Sequence, residues 1–190
     1  MTWLALGLAL FLGIHMTRAI APRWRDAQIA RLGDKGWKGL YTLVSLLGFA
    51  LILWGYSQAR LNPVVLWAPI RGMNHLAALL MLVALVLLAA AYVPRNHFKA
   101  RLQHPMTLSV KVWALAHLLA NNTLADVMLF GSFLVWSILV FRAARRRPAV
   151  ALATPTPAGT AATVVAGVAL WALFAFWLHA AWLGIAPLGR

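Results

Sequence analysis

The sequence predicts an all-α fold, a polytopic transmembrane bundle of about six helices with both termini on the outer (periplasmic) side. Three observations lead there. Of the 190 residues, 63% are hydrophobic and 11% charged, against roughly 45–50% apolar and about 25% charged in an ordinary soluble domain. The runs Leu76 to Val93 and Ala161 to Leu183 carry no Lys, Arg, Asp or Glu and are close to the ~20 residues that cross a hydrocarbon core of about 30 Å. Trp3, Trp24, Trp37, Trp67 and Trp182 fall near the ends of apolar runs, where amphipathic rings settle at headgroup depth.

Apolar runs bounded by charge or turn residues give segments at about 2–20, 40–58, 75–93, 106–121, 124–141 and 161–186. The first resembles a signal peptide, with Ala19-Ile20-Ala21 as its cleavage site. No Lys or Arg precedes it, however, and Pro22 follows the cut, so a retained helix is expected. Segments four and five could form one helix from Val110 to Phe141. That helix, about 48 Å long, would overshoot the bilayer, so a hairpin turning at Asn121-Asn122 is expected. Asparagine tolerates turn geometry and can cap the next helix, whose first turn carries Asp126. The tract 148–163, rich in Ala, Thr and Pro, reads as a flexible cytoplasmic linker within a single domain spanning 1–190.

Orientation follows from Lys and Arg. Arg18, Arg23, Arg25, Arg31, Lys35 and Lys38 lie after the first segment, Arg95, Lys99, Arg101 and Lys111 around the third connection, and Arg142, Arg145, Arg146 and Arg147 after the fifth segment. Only Arg60, Arg71 and Arg190 remain for the other side, so the basic loops are placed in the cytoplasm. The net charge of +14 is spread through these loops with no separate domain to fold around nucleic acid, and anionic lipid is its simpler partner. Cysteine is absent, which excludes disulfides and thiolate chemistry and leaves His, Met, carboxylate or backbone to hold any metal. No nucleophile and base pair, phosphate loop or carboxylate dyad is visible, so hydrolysis and phosphoryl transfer have no support. Transport lacks buried carboxylates and paired broken helices.

The histidines carry the chemical interest, because an ionised group at bilayer depth costs roughly 2.5 kcal/mol or more and such residues usually face protein and mark function. His97 reads as a solvated loop residue and His75 as an interfacial one. His15 follows a long apolar stretch, and His179 lies on the last segment with Trp171 and Ala175. His104 precedes Pro105 and so sits at a helix start. His117 shares a face with Trp113, Ala114, Ala120 and Asn121. His104 and His117 are about 20 Å apart along a helix and cannot ligate one metal together. Neutral imidazoles from different helices across an apolar slot are what a b-type haem requires. A buried histidine can equally serve as an interhelical hydrogen bond.

The stretch HPMTLSVKVWALAHLLANN, residues 104–122, resembles the signature of the NnrU membrane protein family, as do RLGDKGWKGLYTLVSLLGFALILWGY at 31–56 and GIHMTRA at 13–19. Asn122 stands where the family commonly has glycine, a change within the residues that tolerate a left-handed turn. The resemblance implies a multi-pass protein of the bacterial inner membrane associated with denitrification and nitric oxide metabolism. The family is also similar to 15-cis-zeta-carotene isomerase, a haem b membrane enzyme. Carried over by motif, the axial ligands would be His15 and His117, with His104 a further family histidine and Trp113 a packing wall. A haem-dependent isomerase or oxidoreductase acting on a small apolar substrate or on nitric oxide is one implied function. A non-enzymatic accessory or sensor protein is the other. On depth alone, His15 with His104, or His117 with His179, pairs as well as His15 with His117.

Overall fold

The computed structural model describes residues 1–148 and 151–189. Its elements are α1 (Thr2–Ile20), α2 (Pro22–Leu61), α3 (Met73–Tyr92), α4 (His97–Leu102), α5 (Pro105–Ala120), α6 (Leu124–Arg145), α7 (Pro157–Leu173), a π-helical turn (Phe174–Leu178) and α8 (His179–Leu183). Five stretches are long and apolar enough to cross a membrane: α1, α2, α3, α6, and α7 together with the π turn and α8. The all-α, polytopic class is therefore observed. The segment expected at 106–121 is an apolar helix of 16 residues, about 24 Å long and short of a full crossing.

Packing follows the row α2, α1, α6, α5, α3, α7, each helix lying against the next. Leu4, Leu8, Leu12, Ile52, Leu129 and Phe130 form the core under α1, α2 and α6. The outer surface is also apolar: Leu43, Leu46 and Leu53 of α2 and Val165 of α7 are all more than half exposed. Water would penalise these side chains, whereas hydrocarbon does not. Because lipid gives no hydrophobic drive between helices, close backbone approach and internal hydrogen bonds join them. At Gly48 an added Cβ would stand 2.7 Å from the Phe11 nitrogen, so only glycine admits α1 there. Ser109 Oγ donates to the Ala84 carbonyl at 2.7 Å and Trp171 Nε1 to the Ala78 carbonyl at 2.8 Å, tying α5 and α7 to α3.

Three local features depart from the sequence reading. Helix α2 begins at Pro22 rather than near 40, with a break at Gly33 (φ 72°, ψ 165°); a search for apolar runs finds spans, and Pro22–Leu32 is helical but too polar to register. The helix after the basic loop begins at Pro157, capped by Thr156, so residues 157–163 of the expected linker form its first turns. Thr156 N donates to the Arg95 carbonyl at 2.7 Å, and residues 149–150 of that linker lie outside the described residues. At the hairpin, Thr123 rather than either asparagine caps α6, in a capping box with Asp126. Asn122 Nδ2 donates instead to the Trp67 carbonyl at 2.7 Å, and Val65 bridges Thr123 across the turn.

Candidate functional site

The four histidines singled out by the sequence divide between two cavities at opposite ends of the bundle. The basic-end cavity, about 570 Å³, is lined by His15 and Arg18 of α1, Gln103 and His104 before α5, Thr107 of α5, and Val140, Ala144 and Arg147 at the end of α6. The opposite cavity, about 230 Å³, lies among α3, α5 and the last helix, with His117 and His179 in its wall beside Trp171 and Ala78. His15 and His117 thus line different cavities. Between them runs an aromatic file in which His15 packs on Phe11 (ring centroids 4.2 Å), Phe11 on Phe133 (6.0 Å), Phe133 on Trp113 (5.3 Å) and Trp113 on His117 (5.3 Å). Trp113 lines neither cavity; it belongs to this partition.

Helix geometry presets each imidazole. His15 Nδ1 lies 2.6 Å from the Phe11 carbonyl oxygen and His117 Nδ1 2.9 Å from the Trp113 carbonyl oxygen, four residues back in both cases. A carbonyl only accepts, so Nδ1 carries the proton and Nε2 is left with its lone pair. A metal-ligating histidine is commonly oriented in this way. His179 repeats the pattern with the Ile185 carbonyl, at 2.7 Å. His104 has no ring hydrogen bond among the described residues; it is the N-cap of α5 and stands edge-on to Phe141, with centroids 6.2 Å apart.

Electrostatics separates the two cavities. Arg18 and Arg147 line the basic-end cavity, and Arg147 Nη2 donates to the Arg18 carbonyl at 3.3 Å. Partial burial first, then the charges of Arg18 and Arg25, hold the Arg147 guanidinium below its ordinary pKa, yet arginine remains a cation at neutral pH. Lys111, counted above among the basic residues of the third connection, lies over the Phe141 ring at 4.6 Å from its centroid. Among the described residues no Lys, Arg, Asp or Glu lines the opposite cavity.

Of the remaining histidines, His97 is exposed yet fixed, its Nδ1 2.7 Å from Thr160 Oγ1 at the start of α7. Asp126 has a second contact that sequence reasoning missed: Tyr56 Oη donates to it at 2.6 Å. The two residues are 70 positions apart, and nothing in the local pattern signals the pairing. Arg18 and Arg147 were read only as orientation signals; their place at the end of His-bearing helices was the available clue. Among the described residues no three His, Asp or Glu side chains gather around one point.

The family model described as NnrU protein matches residues 3–187, nearly the whole chain. The chain belongs to that family. No curated protein and no solved structure shows significant similarity to it.

Proposed function

Starting from membership of the NnrU family, we propose that this membrane protein holds haem b in the basic-end cavity, where His15 and His104 would hold the iron, and serves nitric oxide or nitrite metabolism. The observation that carries the haem reading is two imidazoles from different elements lining one cavity whose remaining charges are the cations Arg18 and Arg147. The donor set suits the group: neutral nitrogen for iron, guanidinium for propionate carboxylates, and about 570 Å³ of space, within the roughly 300–1,000 Å³ of ligand cavities. When bound, haem supplies a redox-active iron, and its reactivity is tuned by axial ligand and surroundings.

The chain's own residues orient that group and keep its surroundings dry. The Phe11 carbonyl fixes the tautomer and angle of His15. Tyr41 (ring centroids 5.1 Å) and Trp136 (6.5 Å) enclose the same ring. Trp136 Nε1 is the one buried side-chain donor with no partner among the described residues, so the surroundings of His15 are not fully satisfied by the protein itself. The role in nitrogen-oxide metabolism is supported by the family resemblance.

A second reading, His15 with His117, is favoured by their matching carbonyl anchors. It requires the Phe11, Phe133 and Trp113 partition to part. Absorption spectra of protein produced with ample haem distinguish the two. Loss of the Soret band in His15→Ala and His104→Ala, with retention in His117→Ala, is expected; loss in His15→Ala and His117→Ala alone transfers the site to the second pair. A colourless protein overturns both and leaves the non-enzymatic accessory reading. Nitric oxide added to the reduced protein is expected to shift the band, and an unmoved band removes the nitric oxide assignment.

A further inference from the structure

The opposite cavity has a different chemistry, and it is constructed by an irregularity. On a regular α-helix His179, eight residues after Trp171, would point about 80° away from it. The π turn at Phe174–Leu178, closed by the His179 N–H bonding to the Phe174 carbonyl, takes up one extra residue and returns His179 to the Trp171 face. Single π turns of this kind recur at functional sites. The result is a cavity of about 230 Å³ walled by Ala77, Ala78, Trp171 and Phe174, with His117 and His179 both in its lining.

The two imidazoles of this lining present acceptors. Both histidines give their Nδ1 protons to backbone carbonyls, which leaves two Nε2 lone pairs. Asn121 Nδ2 donates to the His117 carbonyl at 2.9 Å and Asn74 Nδ2 reaches the Pro187 carbonyl at 3.5 Å, which leaves each amide its oxygen and one N–H. Two Nε2 acceptors in a cavity otherwise walled mostly by apolar side chains call for a ligand that is itself apolar and brings O–H donors. A metal ion is the poorer match, since no carboxylate and no third imidazole joins the pair among the described residues. A cavity of about 150 Å³ is known to admit benzene, so about 230 Å³ accepts one substituted ring.

We propose that this cavity binds the head group of a membrane quinol, each ring hydroxyl donating to one imidazole Nε2, of His117 and of His179. The aromatic faces of Trp171 and Phe174 supply walls for the ring, and the Trp171 bond to Ala78 holds one of them rigid. The proposal is independent of the haem assignment to His15 and His104, which uses the other cavity, and is incompatible with haem held by His15 and His117.

The test uses the full chain in lipid nanodiscs with ¹⁵N-labelled histidine, titrated with decylubiquinol and, separately, decylubiquinone. Saturable movement of the His117 and His179 Nε2 resonances is expected, with His75 and His97 unmoved. The quinone, lacking O–H donors, should bind roughly tenfold more weakly, and His117→Phe and His179→Phe should each weaken the quinol by a similar factor. Equal affinity for quinol and quinone overturns the proposal, as do resonances that stay still at saturating quinol. Resonances that respond to Zn²⁺ alone and not to quinol would assign the cavity to a metal instead. If the phenylalanine variants fail to fold, the resonances of the unsubstituted protein decide. None of these readouts depends on the Soret band.

Discussion

The two cavities share one side-chain type and differ in what surrounds it. Both hold a pair of histidines, but the basic-end cavity adds two guanidiniums and about 570 Å³, while the opposite one adds amides and alanines and about 230 Å³. Imidazole alone therefore does not name a ligand. Neighbouring charge does, because a cation in a weakly screened environment selects an anionic partner, whereas uncharged acceptors select a neutral donor. Position explains the difference. Arginine is tolerated where α1 and α6 reach the headgroups and can hold its charge in water, and the opposite cavity is built from helix positions that must stay uncharged.

Four substitutions test whether the cavities are separate devices. The largest effect is expected from Gly48→Leu, whose side chain would meet the α1 backbone at Phe11, the residue that anchors His15. Overpacking of this kind costs about 1–3 kcal/mol or more. Thermal unfolding should fall and the Soret band should be lost, since α1 cannot shift without moving His15. Next is Asp126→Ala, which removes the capping box of α6 and the partner of Tyr56. A loss of about 1–3 kcal/mol is expected for the buried groups left unpaired, measured by denaturant unfolding in detergent, with both cavities affected because α6 packs on α1 and α5.

Smaller and more selective effects should follow from changes at the rims. Trp171→Phe removes one hydrogen bond to α3, worth about 1 kcal/mol. It should weaken quinol binding several-fold and leave the haem spectrum unchanged; a changed Soret band would show that the cavities communicate. Arg147→Gln should lower haem affinity only a few-fold, because the side chain is partly exposed and such pairs are screened. The difference from the unsubstituted protein should shrink as ionic strength rises, as measured by haem titration at low and high salt.

The fold class was legible because spans are written as apolar runs, and α1, α3 and α6 begin within two residues of where those runs begin. The polar arm Pro22–Leu32 of α2 was not legible, since no apolar stripe marks it, nor was the capping role of Thr123, which competes with two adjacent asparagines of similar propensity. Among the site residues, sequence singled out His15, His104, His117 and His179 by chemical type and depth. The motif resemblance paired His15 with His117; in the folded chain His15 shares a cavity with His104 and His117 shares one with His179.

By itself the sequence determined that this chain is a bundle of apolar helices with most of its charge in the loops of one side and a few imidazoles inside, because hydropathy and charge act residue by residue. Only the tertiary structure decided which imidazoles share a space. Helix order, the close approach at Gly48 and the extra residue in the π turn each rotate or translate whole helices, and such displacements leave no trace in any local pattern of residues.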